Sequence, residues 1–112
     1  MRSGNTGRKL HQAYLDDLKP WINQLYEDHR CYIAISVHLF ADAHHMKPTV
    51  EVECFRVGTG RQREVVEQIV YEVLPRDQGH IEALSLRAVS SMLLNRENEK
   101  ARAERQTELF PA

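Results

Sequence analysis

The sequence predicts an α+β fold: an N-terminal helical segment, an antiparallel β-hairpin, a capped helix, and a long C-terminal helix with a flexible tail. Three observations predict it. Apolar residues recur at spacings of three and four towards both ends of the chain. Two central stretches instead alternate apolar and polar residues, the period of a strand with one buried face. Prolines and glycines punctuate the boundaries between these patterns. At 112 residues and 13.0 kDa, the chain is long enough for one hydrophobic core and short for two.

Residues 1–9 carry two glycines, three cations and little apolar surface, which reads as a disordered leader. From Leu10 the pattern turns helical, with Leu15, Leu18, Ile22 and Leu25 forming a stripe beside Tyr14, Trp21 and Tyr26. Pro20 interrupts it. Either one helix kinks there, or a short helix ends and a second begins with Pro20 in its first turn, and the second reading is preferred. In 32–40, Ile33, Ile35, Val37 and Leu39 alternate with Tyr32, Ala34, Ser36 and His38. After a loop over 41–48, Val50, Val52 and Cys54 alternate with Glu51 and Glu53. Gly58, Thr59 and Gly60 break that strand, and Thr59 with Gln62 has capping-box spacing. Val66, Ile69, Val70 and Val73 then follow a helical stripe that Pro75 ends. From His80 to about Arg105, Ile81, Leu84, Ala88 and Met92 form one line and Leu86, Val89 and Leu93 another. The domain is therefore expected to span 10–94, with 95–112 a charged helical extension and tail. Two strands alone make a marginal sheet, so either a third hides in 79–87 or the hairpin pairs with a second copy as a homodimer.

Composition narrows the function classes. Fifteen Lys+Arg against sixteen Asp+Glu exclude a polybasic nucleic-acid binder, though not a local basic patch. Two cysteines, Cys31 and Cys54, are too few for a disulfide scaffold and fit a reducing compartment. No apolar run is long enough for a membrane span and no secretory signal is visible, so the expected location is cytoplasmic, with no membrane contact. His38, His44 and His45 lack metal-ligand spacing, so neither a metal nor a cofactor is expected. Ser36, Ser85, Ser90 and Ser91 sit in strand or helix patterns rather than a nucleophile elbow. Glu51 and Glu53 could pair as catalytic carboxylates, but read better as acids that blunt a strand edge. No catalytic residue is assigned, and the chain is expected not to be an enzyme.

Gly58, Gly60, Arg61 and Arg63 could hold a phosphate at a helix start, which makes Arg61 and Arg63 candidate nucleic-acid contacts. The stretch 58–74, following a helix and two strands, resembles the Gly-x-Gly-then-basic helix start of double-stranded-RNA-binding domains. It departs from that family in offering no chain for the third strand before Gly58, and in having Arg61 and Arg63 where the family has paired lysines. A phosphate-binding surface would gather Arg56, Arg61, Arg63 and Arg76 on one face, unneutralised by Glu64, Glu67 and Asp77.

The end of the chain places Leu109 and Phe110 after a charged stretch that cannot bury them. Gln106, Thr107, Glu108, Leu109 and Phe110 together resemble the Gln-x-x-Leu-Phe peptide by which bacterial polymerases and repair proteins bind the DNA sliding clamp. The resemblance implies that Gln106 orients the peptide while Leu109 and Phe110 fill an apolar cleft. Thr107 and Glu108 depart from the residues commonest at their positions. The leading expectation is a small non-catalytic accessory protein of DNA replication or repair, or of a phage or plasmid, that acts through protein contacts. The alternatives are an oligomeric binding module with its tail packed on its own core, and an RNA- or DNA-binding domain.

Overall fold

A computed structural model describes residues 2–38, 47–73 and 77–109, with side chains from Tyr14 to Thr107. The order is helix, three strands, helix: α1 (Arg2–His29), β1 (Tyr32–His38), β2 (Thr49–Val57), β3 (Arg63–Glu72) and α2 (Gln78–Leu109). The strands form one antiparallel sheet in the order β1-β2-β3. Strand β1 turns back on α1, and α2 turns back on β3, so the two helices run in the same direction: Tyr14 meets Ser85 and Gln24 meets Glu97. Both cover the same sheet face. The α+β class expected from the sequence is present, and no helix among the described residues is long and apolar enough to cross a membrane.

Helix α1 is continuous through Pro20, the first of the two readings open at that residue. A proline leaves one carbonyl of the preceding turn without its partner, and burial of Leu18 and Leu25 on either side holds the helix together across that gap. The helix ends in a left-handed residue, Arg30 (φ 55°), whose N–H donates to the Tyr26 carbonyl at 3.0 Å. The β1–β2 register places Ile33 opposite Cys54, Ile35 opposite Val52 and Val37 opposite Val50, all on the helix-facing side. The candidate histidine loop lies mostly outside the described residues. His38, at its start, approaches Glu51 at 3.7 Å.

The expected capped helix after the hairpin is instead β3, an edge strand paired along β2 from Val57↔Arg63 to Thr49↔Glu72. Val65, Val66, Ile69 and Val70 are poor helix formers that fit a pleated surface, and pairing with the apolar centre of β2 decides between the two. A register shift at Cys54/Phe55 inserts one residue into β3, so its inward row continues as Glu67, Ile69 and Tyr71. Thr59 caps no helix. Residues Thr59–Arg61 make a single 3₁₀ turn, closed by the Gly58 N–H on the Gln62 carbonyl at 2.8 Å, with Gly60 left-handed (φ 75°). The third strand that the double-stranded-RNA-binding resemblance lacked is thus present, but within the residues taken for its helix start. Residues 79–87, the other place considered for it, are helical in α2.

The core lies between the sheet and the helices. Val50, Val52 and Cys54 on β2 meet Ala88, Val89 and Met92 on α2 and Leu18, Leu25 and Cys31 from the α1 side. Cys31 and Cys54 are adjacent buried thiols, and burial followed by the neighbouring Cys31 pushes the Cys54 thiol up to about 11. Leu25 is fully buried whereas Leu94 is 60% exposed. Leu25→Ala should therefore cost about 2–5 kcal/mol, and Leu94→Ala less than about 0.5 kcal/mol, in denaturant titrations of both variants.

Candidate functional site

Three groups of polar residues have geometry that bears on function. The first joins the helices. Glu97 Oε1 accepts from Gln24 at 2.9 Å and lies 2.8 Å from His29 Nε2, clasping the end of α1 to the middle of α2. Asp28, His29 and Glu97 present ligand atoms within 4.8 Å of one another, close enough to converge on a cation. Because Glu97 Oε1 already takes both bonds, the arrangement serves first as an interhelical clasp. The bond from His29, then that from Gln24, holds the Glu97 carboxyl below its ordinary value.

The second group centres on a buried cation. Arg96 is only 5% exposed, although its segment reads as a charged extension leaving the core. Its guanidinium donates to both oxygens of Glu99 at 3.1 and 3.0 Å and lies 3.3 Å from Glu67 Oε1 and 3.9 Å from the Cys54 sulfur. Asn95 donates to both Glu67 oxygens at 3.1 Å. Glu67, inward-facing because of the β3 bulge, is therefore held from two α2 residues. No sequence spacing announces this network, because Glu67 and Arg96 are brought together only by the strand and the helix packing across the sheet.

The third group lies at the end of the sheet near the β2–β3 turn and runs from Phe55 and Tyr32 on the open side round the β1 edge to Tyr26 at the end of α1. Tyr32 and Phe55 are cross-strand partners whose rings stack at 5.6 Å, and Tyr26 extends the row at 5.4 Å from Tyr32. Arg63 lies over the Phe55 ring at 3.8 Å and Arg30 over Tyr26 at 5.4 Å. An open cleft of about 470 Å³ runs beside these rings, lined by Ile22, Asn23, Tyr26, Cys31, Tyr32, Ile33 and Phe55. Glu53 pairs with Arg63 at 3.2 Å, while Glu51 accepts from Gln68 across the strands. Both acids lie on the central strand, not at an edge, and serve as cross-strand partners.

The candidate phosphate ligands Arg61 and Arg63 thus sit together, on a β-turn and a strand start rather than at a helix N-terminus. Arg56 turns towards α1, donating to the His29 carbonyl at 3.2 Å, and Arg76 lies outside the described residues. Of the acids that could neutralise this end, Glu64 is paired opposite Arg56, Glu67 is on the helix side and Asp77 caps the start of α2 at the far end of the sheet. Sequence reading found the arginines and missed the rings, whose residues are distributed over α1, β1 and β2.

Of the tail candidates, Gln106 is exposed in the last turns of α2 and Leu109 is the helix's final residue, while Phe110 lies outside the described residues. All of 98–107 is exposed.

Since the Glu97 carboxyl is lowered in the folded state, its contribution is present above its unfolded value and is lost as pH falls through the folded one. The melting temperature of the wild type should therefore fall more steeply below about pH 4.5 than that of Glu97→Gln, measured in one buffer series across the acid range.

Comparison of the chain with protein-family models, with curated proteins and with solved structures finds no match.

Proposed function

We propose that this chain is a small non-catalytic accessory protein that presents its C-terminal peptide to a bacterial DNA sliding clamp. The observation that carries the reading is the course of α2. Arg96 is its last buried residue among those described, and Leu109 follows thirteen residues later, about 20 Å further along the axis. An anchor at that distance is out of reach of the domain's own core while the helix persists, which disfavours the alternative of a tail packed at home. The intervening residues 98–107 are charged, polar or alanine, with no apolar stripe to hold the helix against a second one. A helix without a packed face is marginal in water, so its last turns can unwind to an extended peptide at low cost.

In that peptide, Gln106 would supply the orienting hydrogen bonds and Leu109 and Phe110 the apolar contact. Burying the two anchors contributes about 1.5–3 kcal/mol each before ordering costs, which suits a micromolar contact. Calorimetric titration against purified clamp should show heat for the wild type and none for the double change Leu109→Ala, Phe110→Ala, with nearly equal melting temperatures. Absence of heat with the wild type would discard the reading. A melting temperature lowered by several degrees in the variant would assign the two side chains to the core instead.

Homodimerisation is a second element of the proposal, favoured by the chemistry of β1. This edge strand carries no Asp, Glu, Lys or Arg, whereas the opposite edge, β3, carries Arg63, Glu64, Glu67 and Glu72. Charges protect an edge from pairing with another chain, and β1 lacks that protection. Sedimentation at micromolar concentration should find a dimer that Val37→Lys, at an exposed position, shifts towards monomer. A wild type that is monomeric throughout would remove the dimer from the proposal.

A further inference from the structure

Among the described residues, two that are not glycine have a left-handed backbone, Arg30 (φ 55°) and Arg61 (φ 62°), and both are arginines at the same end of the sheet. Arg30 immediately precedes β1 near the Tyr32↔Phe55 pair, and Arg61 lies in the turn beside the Val57↔Arg63 pair. Glycine is the less strained residue at either position, so an arginine there carries a conformational cost. Strain of this kind collects where a side chain is needed for binding. Between these two arginines lie the rings of Tyr26, Tyr32 and Phe55, with Tyr26 43% and Tyr32 41% exposed. Arg63 lies over the third ring.

We propose that the end of the sheet at the β2–β3 turn, from its open face round the β1 edge to the end of α1, is a binding site for single-stranded DNA, with bases stacking on Tyr26 and Tyr32 and phosphates meeting Arg30, Arg61 and Arg63. The exposed rings of Tyr26 and Tyr32, backed by Phe55 and flanked by guanidinium groups, combine π surface with positive charge, which suits unpaired bases on an anionic backbone. The cleft beside Tyr32 gives a flipped base an apolar wall. Glu53 offsets one of the three charges through Arg63, and Glu51 lies further along the same face. The footprint is therefore short, confined to the basic half of the face. A duplex keeps its bases stacked within and offers these rings nothing, so the site discriminates against paired strands. The choice of DNA over RNA rests on the clamp reading of the tail. The titration below contains no clamp, so its failure leaves that reading standing, and failure of the clamp titration leaves the stacking site standing.

Fluorescence anisotropy of a labelled oligothymidylate of about 10–16 nucleotides, titrated with the full chain at low salt, tests the site. The wild type should bind and Tyr32→Phe should match it, whereas Tyr32→Ala and Phe55→Ala should each bind about 5- to 100-fold more weakly with folded melting curves. Arg61→Gly separates a binding role from a structural one. Glycine relieves the left-handed strain, so its melting temperature should equal or exceed that of the wild type, while affinity falls several-fold and the salt slope drops by about 1. Absence of binding at low salt overturns the proposal. So does binding that survives both alanine changes, which makes the contact purely electrostatic, or tighter binding of the matching duplex. An oligouridylate bound tenfold more tightly overturns the assignment to DNA. Loss of self-association in Tyr32→Ala with oligonucleotide binding unchanged gives the rings to a second copy of the chain, and likewise overturns it.

Discussion

The row Val50, Val52 and Cys54 is the constraint on which the rest of this structure depends. These residues are fully buried on the central strand, where both backbone edges are taken by neighbours and only the faces remain to be satisfied. One face carries the apolar row and must be covered. Residues of both helices meet that row, Leu18 and Leu25 from α1 and Ala88, Val89 and Met92 from α2, so the two lie side by side over it. Short connections at both ends then oblige α1 and α2 to run in the same direction. The clasp of His29, Gln24 and Glu97, and the polar pair of Tyr14 and Ser85, follow from that parallel arrangement. Burial pushes the Tyr14 phenol up.

What the sequence disclosed, and what it concealed, depends on whether a residue's environment is local. Strands β1 and β2 were legible because each alternates cleanly against its immediate neighbours, and the long C-terminal helix because Ile81, Ala88 and Met92 repeat along one line. Strand β3 was not. Its bulge and its inward Glu67 spoil the alternation, while outward Val70 beside inward Ile69 completes a false helical spacing. Only the partner strand, distant in sequence, distinguishes the two periods. Arg96 was concealed for the same reason: a guanidinium belongs in solvent unless an acid from another element meets it, and Glu67 does so from 29 positions earlier. The arginines of the basic turn were visible as letters, but the ring row was not, because Tyr26, Tyr32 and Phe55 become neighbours only once the sheet forms.

The two faces of the sheet have divided their chemistry. The covered face spends its polarity on structure: Glu67 and Arg96 are tied, with Asn95, into a network that joins β3 to α2. The open face is graded from end to end. Towards the β2–β3 turn it is aromatic and cationic, and towards the other end it carries Glu51, His38, Glu72 and Lys47 in alternating pairs. A gradient of this kind is invisible in a net charge of -1, which averages over it.

The outer half of α2 has a mechanical consequence. A disordered chain of thirteen residues would have a root-mean-square span of about 20 Å, nearly the same as the helix that occupies its place. Distance is therefore not what the helix changes. A coil would sweep its end through every direction around the domain, whereas a helix continuous with the core fixes the bearing as well as the reach. Anything gripping that end is held in a defined orientation to the sheet, and the local concentration of one surface at the other becomes either high or negligible according to geometry alone. Melting a turn or two of the unpacked helix would convert such a strut into a swivel, leaving the fold beneath it untouched.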